Sequence, residues 1–402
     1  MTIARLRFTA LWRLAFVFLS TPAVAIAAEP VEISASLGQV QVGRHLEFAE
    51  DKRGTLTLAD VIDSSAPIVF RKVDRETPNF GLGVTSAYWF RFSMTHRESS
   101  AARVFFELAN PYFDGVAVYI IRRDGRVETS RISLDQPISE RAIAHRNFVF
   151  PIDVEAEETL QVVFRVITEG SFRVPARLWY GERLWEADGQ EIAIQGIFYG
   201  LLLVMALYNL FVFFSLRETA YLWYALFVAS TGLSAAGLTG FAAQYLVSDE
   251  PSLTKSLFLL GLGIGTWSGH RFVIDFLSLR DEAPKFFLVS SYISTAGILC
   301  ALASFVFSYP SVLRVSLAVM ILGTPSVLVA SLVRMQQGSI EARYYFASGV
   351  CLALAVSTGG LTSFGVLPVN PFTVYAVQIG LAIQVVLLSL GLARKMKTLF
   401  DA

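Results

Sequence analysis

From residue 29 to about residue 185, apolar and polar positions alternate in short runs that are separated by turn-forming residues. Runs of this kind are typical of antiparallel strands with one buried and one solvated face. Clear examples are residues 104–109, 116–121 and 160–166. Residues 123–125, Arg-Asp-Gly, form a hairpin-turn signal, because glycine takes a positive φ at little cost. The pattern predicts an all-β jelly roll or β-sandwich over residues 29–185.

After Gly189 the pattern changes to long apolar stretches, each long enough to cross ~30 Å of hydrocarbon as a helix. Seven are predicted, at residues 192–216, 221–247, 253–277, 286–307, 312–333, 344–367 and 372–393. Their short connections favour antiparallel neighbours in one bundle. We therefore expect a linker over residues 186–191, an all-α seven-helix transmembrane domain over residues 192–397 and a short cytoplasmic tail over residues 398–402.

The first 28 residues have the pattern of a secretory signal peptide. Three arginines, Arg5, Arg7 and Arg13, flank the apolar run 14–19, and the small-residue stretch 23–28 follows. We expect cleavage after Ala27 or Ala28. An uncleaved anchor helix is the alternative, although the run is shorter than the ~20 residues that span a bilayer. In both cases the predicted β domain is exported.

Charges in the helix connections give the same orientation. With the β domain outside, the inner connections carry basic residues, namely Arg217, Arg280, Lys285, Arg334, Arg343, Arg394, Lys395 and Lys397. The outer turns 248–252, 308–310 and 368–371 carry no Lys or Arg. Since basic residues are enriched on the cytoplasmic side, the sequence predicts a cytoplasmic C-terminus.

Composition supports a membrane protein and excludes other classes. The chain is 54% hydrophobic and 16% charged, and its 33 basic residues balance its 33 acidic residues, so no basic surface for nucleic acid is expected. Its two cysteines, Cys300 and Cys351, lie in apolar stretches, and the histidines lack zinc-site spacing. We expect no disulfide, metal or cofactor.

Three ionisable residues near the inner end of the third predicted helix are candidates for signal relay: His270, Arg271 and Asp275. Charges at membrane depth are costly, and Arg271 and Asp275, four residues apart, could pair on one helix face. The alternative is a paired set at the cytoplasmic interface. An acyltransferase H-x-x-x-x-D site is disfavoured because side chains five residues apart on a helix point roughly 140° apart. No catalytic residues are predicted.

Other membrane functions need features that the helices do not offer. A retinal protein needs a lysine in a helix core, and residues 372–393 contain none. An ion or proton relay needs several carboxylates or histidines on different helices. A transporter or channel stays open as an alternative if Gln195, Asn209, Gln378 and Gln384 line a polar pathway.

Small residues mark close helix contacts. Gly261, Gly265 and Gly269 recur every four residues, and Gly196 and Gly200 form a shorter stripe. Packing within one chain is the first interpretation, and the seam of a homodimer is the alternative.

In the exported domain, six side chains combine aromatic or hydrogen-bonding chemistry that suits a polar ligand such as a sugar. They are Trp89, Arg91, Asn110, Asp114, Arg141 and His145. For each of them, packing in the core or at a strand edge is the alternative.

Several segments resemble the bacterial seven-transmembrane receptors with diverse intracellular signalling modules. In the helical part these are residues 198–217, 221–227, 271–272, 276–280 and Pro284; in the exported part they are residues 56–61, 89–91 and 107–111 with Asp114. The resemblance implies a jelly-roll sensor in the periplasm, similar to carbohydrate-binding modules, on a multi-pass domain in the inner membrane.

In such relatives the seventh helix continues into a kinase, a cyclase or a phosphatase, whereas here only residues 393–402 follow Leu392. We therefore expect a kinase or cyclase acting in trans as the cytoplasmic partner, or a chain cut before its output domain. A structural role, with the exported domain docked on another envelope protein, is a further alternative.

Overall fold

The computed structural model describes residues 29–63, 68–82, 84–363, 366–367 and 370–401. The predicted signal peptide, and residues 368–369 of the third predicted outer turn, lie outside these ranges. The N-terminal part is built from strands β1 (Val31–Ile33), β2 (Gln39–Gln41), β3 (Glu47–Asp51), β4 (Arg71–Lys72), β5 (Asn79–Leu82), β6 (Ala87–His96), β7 (Ala102–Leu108), β8 (Gly115–Ile121), β9 (Val127–Ser133), β10 (Phe148–Val154), β11 (Thr159–Ile167), β12 (Ser171–Arg173) and β13 (Ala176–Tyr180).

These strands form two main sheets that face each other. The first sheet has the order β4-β3-β6-β11-β8-β9, with β1 added in parallel to β6. The second sheet has the order β10-β7-β13-β2. Alternate residues of both sheets, among them Phe90, Phe106, Phe150 and Phe164, pack into one core. The predicted β-sandwich is confirmed, since period-2 alternation along each strand fills the space between the sheets.

The outer faces of the two sheets are also partly covered. A short helix α1 (Leu58–Ile62) and its flanks lie over the first sheet, where Trp89, Tyr119 and Val163 form a second apolar cluster with Val61. On the second sheet, Phe105, Val149 and Trp179 pack against Leu184.

The helical part consists of α2 (Arg183–Leu216), α3 (Thr219–Thr239), α4 (Phe241–Tyr245), α5 (Leu253–Phe276), α6 (Leu279–Glu282), α7 (Pro284–Ala303), α8 (Tyr309–Gln336), α9 (Ile340–Ser363), α10 (Pro371–Val374) and α11 (Ala376–Asp401). Within the described ranges, seven of these helices are long and apolar enough to cross a membrane: α2, α3, α5, α7, α8, α9 and α11. The prediction of seven transmembrane helices is confirmed. We call the end of the bundle that contacts the sandwich proximal and the other end distal.

Helix α2 is 34 residues long and contains the segment 186–191, for which a linker was predicted. The helix begins on the surface of the sandwich, where Leu184 and Ala187 pack against the second sheet. This packing stabilises the first turns of α2, so the chain passes from the sandwich into the bundle as one continuous helix.

The second predicted span, residues 221–247, is interrupted in the structure. Helix α3 ends at Thr239, Gly240 takes a φ of +79°, and α4 follows. A Cβ at Gly240 would lie 2.7 Å from the Cβ of Pro111 in the sandwich. Glycine is required here both for the left-handed backbone and for the close approach of the two domains.

The glycines of α5 pack inside the bundle. A Cβ at Gly261 would lie 2.6 Å from the backbone nitrogen of Ser234 in α3. A Cβ at Gly265 or Gly269 would lie 3.2 Å from Ser230 or 3.1 Å from Phe227 in the same helix. Apart from the adjoining residues and backbone of α2 itself, no described atom lies within 4 Å of such a Cβ at Gly196 or Gly200. The α5 stripe therefore serves intramolecular packing.

Candidate functional site

A loop of the sandwich inserts into the proximal end of the bundle. We call residues 110–114 the plug loop. Tyr112 is only 6% exposed, and its ring lies 6.2 Å from that of Phe258 in α5 and 6.1 Å from that of Tyr309 in α8. The turn is held by Asn110, whose Oδ1 accepts from the Tyr112 amide at 3.0 Å. The plug loop thus joins the sandwich to two transmembrane helices through buried aromatic contacts.

The plug loop ends in an ion pair between the two domains. One carboxylate oxygen of Asp114 accepts from the ammonium of Lys255 in the first turn of α5, and the other accepts from the amide of Glu169 at 2.7 Å. Lys255 is buried and lies 5.2 Å from the centre of the Tyr309 ring. A buried ammonium needs such a partner, so this pair fixes the start of α5 to the sandwich.

A second contact joins the sandwich to the start of α2, and we call it the stem clasp. The Nη1 of Arg146 lies 2.6 Å from Asp188, and its Nη2 lies 2.8 Å from Glu191. The guanidinium also stacks 4.5 Å from the centre of the Phe241 ring in α4. Because these arginine atoms are almost fully buried, the clasp is a desolvated, charge-assisted contact.

His145 adds a directed hydrogen bond to the stem clasp. Its Nδ1 accepts from the backbone amide of Asn147 at 3.0 Å, which leaves Nε2 to carry the proton. Nε2 then donates to Asp188 at 3.1 Å. Asp188 is therefore held by two buried side chains of the sandwich.

Arg141 lies in the same loop but has no carboxylate partner among the described residues. Its Nη1 donates to the His145 carbonyl at 3.2 Å, and its guanidinium lies 5.2 Å from the centre of the Phe148 ring. Burial lowers the pKa of Arg141 to about 10. The side chain is still charged at neutral pH.

At the distal end, backbone carbonyls at the end of α5 receive side chains from other helices. The ammonium of Lys395 in α11 donates to the Asp275 carbonyl at 2.6 Å, and the Nε of Arg334 in α8 donates to the Leu277 carbonyl at 3.0 Å. Both basic residues also line a cleft of about 160 Å³ with Ser278 and Glu341. Cations near the carbonyl end of a helix are stabilising, so α5 is held at both of its ends.

Family comparisons agree with this architecture. Residues 191–395 match the family described as "7TM diverse intracellular signalling", and residues 43–180 match "7TMR-DISM extracellular 2". The chain belongs to the 7TMR-DISM family. The two matches correspond to the helical bundle and to the sandwich, and they identify the protein as a signalling receptor with its sandwich outside the cell membrane.

Two further comparisons add little to the family assignment. No curated protein matches the chain. Among solved structures, TmCBM61 in complex with beta-1,4-galactotriose is similar at 10% sequence identity over 36% of this chain and 95% of that chain. Its TM-score of 0.20 is too low to establish a shared fold.

The six residues predicted to bind ligand in this 7TMR-DISM receptor do not converge on one site. Trp89 is buried under the segment that contains α1, and Arg91 pairs with Glu47 at 2.7 Å on the first sheet. The other four lie at or beside the contacts with the bundle: Asn110, Asp114, Arg141 and His145. Four of the six therefore take part in or adjoin a joint between domains, and ligand binding by the six residues stays a prediction.

The three predicted relay residues also separate. The described contacts include no ion pair between Arg271 and Asp275; instead, the Asp275 carboxylate accepts from Thr219 of α3 at 2.7 Å. The Nδ1 of His270 bonds the Thr266 carbonyl at 2.9 Å, and its ring lies against Gly323 of α8. The Asp275 carboxylate is directed toward α3, where Thr219, the first residue of that helix, supplies the hydroxyl donor.

Sequence reasoning did not select Asp188, Glu191 or Lys255. A signal for them was present: two carboxylates directly precede an apolar span, and a lysine lies just inside another. Charges next to hydrocarbon need partners, and here the sandwich supplies these partners.

Proposed function

We propose that this receptor senses an extracellular ligand with its sandwich domain and relays the event through the seven helices to a cytoplasmic output partner. The observation that carries the proposal is the buried joint, in which the plug loop and the stem clasp connect the sandwich to α2, α4, α5 and α8. A domain that was only tethered would not need desolvated ion pairs on its membrane side.

The proposed relay uses two helices that run from the joint to the distal end. Helix α2 begins in the stem clasp and extends for 34 residues, or ~51 Å at 1.5 Å per residue. Helix α5 begins beside Lys255, and its last turn carries Asp275, which contacts Thr219 and Lys395. A shift of the sandwich would therefore change the distal contacts by moving packed helices between two arrangements.

The proposed setting is the inner membrane of a bacterium, with a signal peptide over residues 1–28, the sandwich in the periplasm and the C-terminus in the cytoplasm. The distribution of basic residues supports it, since those of the distal connections include Arg217, Arg280 and Arg334. The distal end would then face a kinase or cyclase in trans, with Asp275 and Lys395 at the start of the output path. Arg271 and His270 stay predicted relay residues.

A carbohydrate is the proposed ligand class. The resemblance of the exported domain to carbohydrate-binding modules, carried by residues such as 89–91 and 107–111, supports it.

A transporter receives less support from the arrangement of the polar residues. Gln378 of α11 donates to Gln195 of α2 at 2.9 Å, and Asn209 donates to the Met205 carbonyl at 2.8 Å. These bonds are made between helices or within one helix, which favours a closed bundle.

The relay can be tested with a reporter at the distal end. Cys300 and Cys351 are replaced by alanine, and Arg394→Cys, at an exposed position, carries an environment-sensitive fluorophore in the full chain in nanodiscs. We expect a saturable spectral change with the cognate oligosaccharide from a panel, and a change when Lys255→Met weakens the joint. Arg126→Gln, an exposed change in the β8–β9 turn, serves as the matched control.

A folded Lys255→Met receptor whose label spectrum equals that of the control would contradict the relay. A panel that produces no saturable change, in a receptor whose label still responds to Lys255→Met, would contradict the carbohydrate and leave the relay supported.

A further inference from the structure

The side chain of Arg141 is buried at the joint without a counter-charge. It is 6% exposed, and among the described residues its Nε has no hydrogen-bond partner and no Asp or Glu forms an ion pair with it. The residues outside the described ranges contain no Asp or Glu. Other arginines of the sandwich contrast with it, since Arg146 contacts two carboxylates and Arg122 contacts Glu128 and Glu158.

A buried guanidinium without an anion is unfavourable, because the charge loses its hydration and gains no Coulombic partner. Loss of the proton does not relieve this cost at neutral pH, since burial lowers the pKa of Arg141 only to about 10. The carboxylates of the stem clasp pair with Arg146 and His145, and among the described residues no ion pair joins them to Arg141. The site is therefore suited to an anion that the chain itself does not provide.

The position of Arg141 places the site near the predicted membrane interface. The segment that carries it is tied to the connection between α4 and α5, because the Ile138 amide donates to the Ser248 carbonyl at 2.9 Å. At the end of α4, Tyr245 and Leu246 are exposed apolar side chains. Aromatic and apolar residues at a helix end mark the membrane interface, which is the depth of phospholipid phosphates.

We infer that Arg141 binds an oxyanion of the phosphate class at the joint, contributed either by a phospholipid headgroup or by a free phosphate-bearing solute. The planar guanidinium matches phosphate oxygens in a bidentate geometry, and it lies 5.2 Å from the centre of the Phe148 ring. Because Arg141 also bonds the carbonyl of His145, occupancy would stabilise the loop that holds Asp188. The inference deepens the proposed receptor function. Only the effect of phosphate on the loop that holds Asp188 rests on that function; the binding of phosphate by Arg141 does not.

The first test is thermal unfolding of the full chain, stripped of phospholipid in a non-ionic detergent, with sodium phosphate against sodium chloride at equal ionic strength. We expect a saturable rise in Tm with phosphate; at 100 times the Kd, the ratio of folded to unfolded protein rises about 100-fold. Arg141→Gln should lose this response. Arg126→Gln, which removes the same charge from an exposed turn, should keep it.

The second test separates the two sources. The receptor is reconstituted in nanodiscs of phosphatidylglycerol or of a galactolipid without phosphate, extracted, washed and weighed by native mass spectrometry. A lipid source predicts that the wild type retains phosphatidylglycerol, that phosphate displaces it and that Arg141→Gln loses it. A solute source predicts phosphate stabilisation without retained lipid.

The inference is overturned if phosphate stabilises the wild type no more than chloride does and phosphatidylglycerol is not retained above the level of Arg141→Gln. If Arg141→Gln does not fold, Arg141→Lys, which keeps the charge but loses the planar fork, should weaken the response at least severalfold. Both tests measure only the binding of phosphate or lipid. A negative result in them is therefore independent of whether the fluorophore at the distal end responds to Lys255→Met.

Discussion

The two ends of the bundle are held by different kinds of contact. At the proximal joint, full charges pair across the domain boundary, as in Arg146 with Asp188 and Lys255 with Asp114. At the distal end, cations bond backbone carbonyls at the end of α5, as in Lys395 with the Asp275 carbonyl, and the carboxylate that pairs with Arg334, Glu282, is exposed. Loss of one proximal partner leaves a buried charge, whereas a helix-end carbonyl that loses its cap can bond water. The difference suggests a firm input joint and an output end that rearranges at low cost.

The strongest way to break the joint is to remove the aromatic ring of the plug loop. Tyr112→Ala should lower the free energy of unfolding by about 3–5 kcal/mol, the range for truncation of a large buried aromatic side chain. The measurement is thermal or denaturant unfolding of the full receptor in detergent. Tyr112→Phe is the control and should be nearly neutral, because the Tyr112 hydroxyl has no hydrogen-bond partner among the described residues. A large loss in Tyr112→Phe would show that the hydroxyl, and not ring packing, holds the plug.

The next largest effect is expected in the stem clasp. Asp188→Asn removes the charge that faces Arg146 and His145, and breaking a buried pair of this kind costs about 3 kcal/mol or more. Unfolding is compared with Asp153→Asn, which removes an exposed partner of Arg103 and should cost at most about 1 kcal/mol. Equal losses in the two variants would contradict a desolvated clasp.

The pair between Asp114 and Lys255 can be isolated by a double-mutant cycle. Asp114→Asn, Lys255→Met and the double variant should give a coupling energy of about 1–2 kcal/mol, since the lysine is buried and the carboxylate is partly exposed. The same cycle on Arg103 and Asp153 is the exposed reference, with an expected coupling below about 1 kcal/mol. Additive losses at Asp114 and Lys255 would mean that the two residues act independently.

The smallest effect is expected at the distal end. Lys395→Met should destabilise the last turn of α5 by about 1 kcal/mol, because one cationic cap of its carbonyls is lost. Amide hydrogen exchange over residues 270–277 should increase, while the exchange of the plug loop stays unchanged. Arg394→Met, at the exposed neighbouring position, is the matched control. Equal exchange in the two variants would argue against a capping role for Lys395.

The sequence predicted the features that depend on local periodicity. Alternation along strands such as β6 and β11 predicts the sandwich, and uninterrupted apolar runs predict the seven spans, because burial repeats at the period of each element. The break at Gly240 could not be predicted in this way. It depends on the approach of Pro111, which lies more than a hundred residues earlier in the chain.

The candidate site was predicted only in part, because it too depends on contacts between residues that are far apart in the sequence. Asp114 and His145 were selected for polar chemistry, but their partners Lys255 and Asp188 come from the membrane domain. Trp89 is predicted to bind ligand for its aromatic chemistry, whereas it packs in a buried cluster with Leu56, Val61 and Ile68. Arg271 and Asp275 have the right spacing to pair on one helix, yet the hydroxyl of Thr219 on another helix takes the carboxylate.

Because α2 runs without a break from the sandwich into the bundle, it sets the rotation of the sandwich relative to the bundle about the helix axis. One residue inserted in the segment 186–191 would turn everything before it by about 100° around the helix axis and lift it by ~1.5 Å. Such a rotation would carry Asp114 away from Lys255 even though neither residue had changed. Chimeric receptors that exchange sensor domains within this family must therefore keep the helical register of α2 across the fusion point. Joining the right domains in the right order is not enough.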